Sequence, residues 1–396
     1  MTADIKPIWR LSAAHLVTDL YSPVLPAILP LLIVDQGYSF FLAGLIVTVY
    51  TLTSSFVQPF AGWLFDTRGI AVPISVSVLI SAVFISVIGL LDNYFLVLAS
   101  AAVAALGNAS FHPSALGTVS RLTQDAHRGR ITSFFVIGGN LGYALGPICA
   151  GIVVGLMGLP GLAVLVIPGL VMAAVLRWTL SAPGHTAVPA AQVRTERSAY
   201  RAIVLLVAAS SLRAWAIFGS VAFLPTILTE RGIDLVTANL IVSGMLIAGV
   251  VGQLVGGALS DRYGRKEFTI GGLVAAIPPF AVFLTTGGIV SIVALIIFGF
   301  ILWSTFAVTV AMAHEMAPGN AGLVSGLMLG LAVGVGGIGV AVTGAIADMT
   351  SLSLGLMTIP LAIVLAVPLF LATSYPWKSL GRSRLSSRGT TPPQTP

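Results

Sequence analysis

The chain of 396 residues contains one cysteine, Cys149, and only 8% charged residues. A lone cysteine excludes any internal disulfide framework and ties the protein to no oxidising compartment. Soluble domains carry about 25% charged residues, so so sparse a charge excludes a water-soluble fold. No Gly-rich loop ends in the Gly-Lys-Ser/Thr that cradles nucleotide phosphates, no Cys/His pairs stand at metal-ligand spacing, and there is no nucleophile elbow. Primary transport driven by ATP, a structural metal and covalent hydrolysis drop out together, and neither an enzyme nor a cofactor is expected. What abounds is apolar surface: 57% of the residues are hydrophobic and the mean hydropathy is +1.03. Lipid must be the solvent for most of that surface.

Twelve crossings at about 20 residues each use about 240 residues, which suits this length. Apolar runs broken by Gly, Pro or charge predict spans near 8–33, 40–64, 70–91, 94–119, 131–154, 160–180, 201–229, 236–259, 268–287, 290–313, 322–347 and 352–374. With an even number of spans, 17 of the 19 basic residues fall on one face. The opposite face carries Arg231 with Asp35, Asp92, Glu230, Asp234 and Asp348. The positive-inside rule then places both termini in the cytoplasm of a multi-pass protein of the cytoplasmic (inner) membrane. The net charge of +6 is therefore a topology signal, and no nucleic-acid partner is implied. Met1 to Ile8 is short and polar and runs into a span too long for a signal h-region, so an uncleaved start is expected. The stretch 181–199, rich in Ala, Pro and charge, separates a bundle over 1–180 from a second over 200–375, and 376–396 is expected to be a disordered cytoplasmic tail.

The two bundles repeat each other. Gln58, Gly62, Leu64, Asp66 and Gly69 recur as Gln253, Gly257, Leu259, Asp261 and Gly264 at an offset of 195 or nearly so, and Leu25-Pro26 recurs as Leu224-Pro225 at 199. Ser133, Gly138 and Gly142 recur as Ser325, Gly330 and Gly334 at 192. Two matching halves imply a pseudo-two-fold axis along the membrane normal and a site between them near mid-bilayer. A continuous channel suits that symmetry less well than alternating access does.

The stretches Gly62-x-Leu-x-Asp66-x-Arg68-Gly69 and Gly257-x-Leu-x-Asp261-Arg262-x-Gly264-Arg265-Lys266 resemble the loop 2–3 and loop 8–9 signature of the major facilitator superfamily. Within it, His15-x-x-Thr18-Asp19, Phe111-His112-Pro113, Ser211-Leu-Arg213-Ala-Trp215 and Gly322-Leu-Val-Ser-Gly326-Leu are similar to the fosmidomycin-resistance type of drug exporter. Gly142-x3-Gly146-Pro147 resembles the motif associated with antiporters, with Ser133 and Ala150 where that pattern has Gly. Span 4 carries Val103 where many proton-coupled relatives have an Arg. The resemblance implies an all-α membrane protein of twelve transmembrane helices in two pseudo-symmetric six-helix bundles. It also implies a monomer that moves protons and a small-molecule substrate across the bilayer.

Inside the bilayer few groups can do chemistry. Asp19 is costly there unless paired, neutralised or facing water, and His15 sits one turn earlier on the same face, so the two form a candidate proton-coupling pair. Arg213 is the one base within the membrane, and its planar donors suit a carboxylate, phosphate or phosphonate. Its rival role is an internal ion pair with Asp19. Trp215 and Phe218 follow as candidate substrate contacts, although packing explains aromatics equally well. His112-Pro113 is expected to break span 4 where it lines the cavity. His314-Glu315 reads as a solvated rim. Gly62, Asp66, Arg68, Asp261, Arg262 and Arg265 are candidate gating residues that latch the cytoplasmic side, with Gly142, Gly146 and Pro147 allowing helices to approach and slide. These readings point to a proton-coupled antiporter exporting a small drug-like or anionic compound; the alternative is an uptake carrier or uniporter of an anionic metabolite.

Overall fold

A computed structural model describes residues 6–68, 70–122, 128–179, 197–317 and 324–378. The tail beyond Lys378, most of the linker, Gly69, Gly322 and the side chains of Asp66 and Ser133 lie outside that description. The described chain forms twelve spans, here α1 to α12. In the first half α1 runs Lys6–Leu20 and resumes as Val24–Val34, followed by α2 (Phe40–Arg68) and α3 (Ile74–Ser86 with a 3-10 turn Val87–Leu90). Then come α4 (Tyr94–Leu122), α5 (Arg128–Met157) and α6 (a 3-10 turn Leu159–Leu165 leading into Val166–Thr179). The second half holds α7 (Arg197–Glu230), α8 (Leu235–Tyr263), α9 (Arg265–Thr285) and α10 (Gly288–Met316). It ends with α11 (a π-helical segment Gly326–Leu331 continued by Ala332–Met349) and α12 (Leu352–Leu356 and Thr358–Ala372). Among the described residues eleven helices are long and apolar enough to cross a membrane, and Ile74–Leu90 is a shorter apolar helix.

The repeat seen in the sequence returns as packing. In the first half α1 packs on α5, α2 on α4, and α3 on α4 and α6; in the second α7 packs on α11, α8 on α10, and α9 on α10 and α12. Each pair has its mate six spans later. The halves meet mainly through α1/α7, α2/α11 and α5/α8, a set that the same two-fold relation maps onto itself.

Local chemistry shapes the spans. Span 1 is interrupted at Tyr21–Pro23, where Pro23 brings no N–H and Val24 bonds back to the Tyr21 carbonyl at 3.3 Å. The expected break at His112-Pro113 is corrected: α4 runs through Pro113 without interruption. Gly62 of α2 lies beside that proline, and a Cβ there would sit 3.8 Å from the ring, at ordinary contact distance. Gly264 joins α8 to α9 in one residue at φ +106°, a conformation that favours glycine and explains its place in the loop motif. Asp234 caps α8 by accepting from the Thr237 N–H at 2.9 Å, which holds its carboxyl below the usual range. Arg231, the lone base on the acidic face, has a structural reason to be there. It donates to the carbonyls of Phe283 at 2.9 Å and Leu284 at 3.0 Å, and stacks 4.7 Å from the Phe283 ring centre, tying α7 to the end of α9.

The glycine rows divide by task. Gly138, Gly142 and Gly146 let α5 lie against the backbone of α1 inside the first half, at Ser12, Leu16 and Leu20–Pro23. Gly151 and Gly155, further along α5, face Asn239 and Val236 of α8 in the other half. On α11, Gly330, Gly334, Gly337 and Gly344 face α2 across the halves, while Gly336 and Gly339 receive Ala214 and Trp215 of α7.

At the end of the bundle bearing Asp35, Asp234 and Asp348, the Asp348 carboxylate accepts from the Phe40 N–H at 2.7 Å and the Phe41 N–H at 2.9 Å. The last turn of α11 thus caps α2 of the other half. Asp348→Ala should remove about 1 kcal/mol of this cap, roughly a fivefold gain in the state open at that end. Double electron–electron resonance between labels on α2 and α11 would read it, and an unchanged distance distribution would show that the cap does not hold the halves together.

Candidate functional site

A cavity of about 310 Å³ lies between the halves. Its first-half wall carries Asp19, Ser22, Tyr50, Thr51, Ser54, Asn108, His112, Asn140 and Tyr143; its second-half wall is mostly Phe218, Val221, Trp303, Phe306, Leu329 and Val333. One wall is polar and titratable, the other aromatic and apolar. Gln58 and Gln253, partners in the sequence repeat, both line it, as a site on the pseudo-two-fold axis requires.

Asp19 sits just before the break in α1. His15 Nε2 lies 3.1 Å from its Oδ2, His112 Nε2 3.4 Å from its Oδ1, and Asn108 Nδ2 donates to Oδ1 at 3.4 Å. The other ring nitrogen of His15, Nδ1, donates to the Phe135 carbonyl at 2.8 Å. A neutral His15 with its proton on Nδ1 would turn a bare lone pair toward a carboxylate. A proton must therefore lie between Nε2 and Asp19, carried by one partner or the other. Stacking of His15 on Phe135, with ring centres 4.2 Å apart, fixes the imidazole plane. The three donor atoms of His15, Asp19 and His112 lie within 4.8 Å of one another, close enough to share a proton or to hold a metal ion.

Two residues of this cluster escape sequence reasoning. Asn108 is neutral, and only its place one turn before His112 in an apolar span hints at it. Gly139 is a void: a Cβ there would run into His15 Nε2 and lie 2.6 Å from Asp19 Oδ2. Gly139→Ala should force the pair apart, cost about 1–3 kcal/mol in thermal unfolding and depress proton-linked activity. An unaltered melting curve with unaltered activity would show that the pair tolerates the methyl group.

The other candidates separate. His112 and Phe218 line the cavity. Arg213 is buried at 1% exposure, stacked 4.8 Å from the centre of the Phe306 ring, and is not part of the cavity wall. No ion pair joins it to Asp19 in this conformation. Trp215 donates from Nε1 to Thr343 Oγ1 at 3.0 Å, and Thr343 bonds Thr358 at 2.7 Å, so it ties α7, α11 and α12 within one half.

The loop motif of the second half forms a network. Arg265 bridges Asp261 at 3.1 Å and Glu315 at 2.7 Å, Tyr375 donates to Glu315, and Lys378 donates to the Asp261 carbonyl. Burial, reinforced by Glu315, pushes the Tyr375 phenol up. Arg262 stacks on Tyr263 and Arg68 on Trp63, at 5.4 and 5.6 Å from the ring centres. These described contacts stay within one half. His314 Nε2 and Ser325 Oγ are 3.2 Å apart, so the His314-Glu315 rim is bonded as well as solvated.

Two six-helix halves around a central cavity define a membrane transporter. The chain matches the family model described as Major Facilitator Superfamily over residues 11–338, and it belongs to that family. It is 30% identical over 364 residues to the Fosmidomycin resistance protein of Escherichia coli (strain K12), covering 87% of each chain. It is 28% identical over 378 residues to the uncharacterized MFS-type transporter YfnC of Bacillus subtilis (strain 168), covering 91% of each. Among solved structures it resembles a bacterial homologue of the human lysosomal transporter Spinster in an inward-facing and occupied conformation. That match has a TM-score of 0.82 and 16% identity over 99% of this chain and 100% of that one. A mutant of the nucleoside transporter NupG matches with a TM-score of 0.73 and 16% identity over 93% of this chain and 99% of that one. The relatives and the fold are those of transporters, not enzymes.

Proposed function

We propose that the protein is a proton-coupled antiporter of the cytoplasmic membrane, acting as a monomer with both termini in the cytoplasm, that exports a small drug-like or anionic compound. The observation that carries this reading is Asp19 on the cavity wall, with His15 Nε2 at 3.1 Å and His112 Nε2 at 3.4 Å. A carboxylate held on a cavity wall between two imidazoles is suited to taking up and releasing a proton. Alternating access exposes the cavity first to one side and then to the other. A proton entering from outside and a substrate entering from the cytoplasm then displace each other from the same polar wall.

The 30% identical relative named for fosmidomycin resistance makes that compound the first to try. In proteoliposomes, an inward-directed proton gradient should drive fosmidomycin out against its own gradient, and collapse of the proton gradient should stop it. Uphill movement toward the proton-poor side would instead make the protein an uptake carrier, and equilibration indifferent to the pH gradient would make it a uniporter.

A further inference from the structure

Among the described residues, the contact found for the Arg213 guanidinium is the face of the Phe306 ring. Arg213 Nε and Nη1 are buried and have no hydrogen-bond acceptor there. Of the 13 acidic residues, Asp19 alone lies in the interior of a span, and it is held by His15, His112 and Asn108. A buried guanidinium with two unpaired N–H groups is costly, and an oxyanion that reached it would relieve that cost.

The ring that Arg213 touches also belongs to the cavity wall. The guanidinium carbon lies 4.8 Å from the centre of the Phe306 ring, and Phe306 lines the cavity. It continues an aromatic series that begins in the other half: Tyr143 of α5 stands 5.8 Å from Trp303, and Trp303 stands 6.1 Å from Phe306. Phenylalanine makes no hydrogen bond that would fix it there, and its face offers the cation an attraction that an oxyanion readily outcompetes.

We propose that Phe306 is a movable cover over a concealed oxyanion subsite based on Arg213. When the ring swings aside, the guanidinium takes the acidic group of a water-soluble organic anion, whose apolar body rests against Phe218 and Trp303. A cavity of about 310 Å³ admits such a molecule and not a two-chain lipid. The inference rests on the central cavity being the substrate site, as proposed above. It adds a specificity-determining residue, Phe306, that no sequence motif marks.

The test uses the full-length protein in uncharged nanodiscs, with phenylglyoxal as an arginine-directed reagent and peptide mass spectrometry to follow Arg213. In the wild type Arg213 should react slowly; Phe306→Ala should speed its modification about tenfold, and Phe306→Leu less. Phenylphosphonate should protect Arg213 in Phe306→Ala, whereas the neutral benzyl alcohol should not. Calorimetry should show phenylphosphonate binding more tightly to Phe306→Ala than to the wild type, and about tenfold more weakly once Arg213→Lys is added. Equal modification rates in the wild type and both Phe306 variants, absence of protection, or no phenylphosphonate binding by any variant would overturn the proposal. None of these readouts needs a proton gradient. Failure of antiport would therefore leave them standing, and intact antiport with failed protection would remove the Phe306 cover alone.

Discussion

Vesicles carrying Asp19→Asn are expected to lose pH-gradient-driven transport entirely while the protein stays folded. The amide has the shape of the carboxylate it replaces, and its Nδ2 can donate to the His15 Nε2 that lies 3.1 Å from Asp19 in the wild type. The bond to His15 therefore survives without a mobile proton, and the bond from Asn108 can still be accepted by the amide oxygen. What disappears is the charge change that links the cluster to the gradient. Downhill exchange of substrate for substrate should persist, because it needs only the cavity and the rocking of the halves. Measurement of gradient-driven and exchange fluxes in the same preparation separates the two. Gradient-driven transport at the wild-type rate would take Asp19 out of the mechanism, and loss of both fluxes with a lowered melting temperature would show a structural role instead.

Asp19 and His15 were legible in the sequence because lipid makes charge conspicuous, and spacing of one turn put them on a common face. Asn108 and Gly139 complete the same cluster but carry no charge, so nothing in an apolar span marks them. Gly139 in particular works by what it lacks, and its neighbours are known only once α5 is docked on α1. The spans were legible for a related reason: a run of about 20 apolar residues has few alternatives in a bilayer. Interruptions were harder to read. Pro113 stays within a continuous α4 and Pro23 sits in a true break, so the presence of proline alone does not tell the two apart. The depth of Arg213 could be placed by the repeat, but which side of α7 it occupies depends on rotation about the helix axis. The structure sets it against Phe306, a residue of the cavity wall, and outside the wall itself.

Gly151→Leu is expected to drive the protein toward the conformation open at the acidic end. Gly151 lies on α5 where it meets α8, and a Cβ there would fall 2.7 Å from the Asn239 Cβ. Asn239 is itself fixed, donating to the Ala27 carbonyl of α1 at 3.1 Å and to the Leu235 carbonyl at 3.0 Å. A larger side chain at 151 therefore has no flexible neighbour to displace. The nearby bond from the Ile148 N–H to Ser243 Oγ, at 3.1 Å, holds the same contact closed. Overpacking of this kind costs about 1–3 kcal/mol, and the rocking motion offers relief without unfolding either half. That energy corresponds to a population shift of about 5- to 150-fold. Gly142→Leu makes the contrast. Gly142 meets the Leu16 backbone within the first half, where separation of the halves gives no relief, so its cost should appear as a lowered melting temperature. A cysteine at Ser243, placed in a Cys149→Ser background, reports opening through its rate of labelling by an impermeant maleimide. Gly151→Leu should raise that rate about tenfold or more and Gly142→Leu should not. If the two variants behaved alike, the α5 glycines would not divide between packing one half and closing the pair.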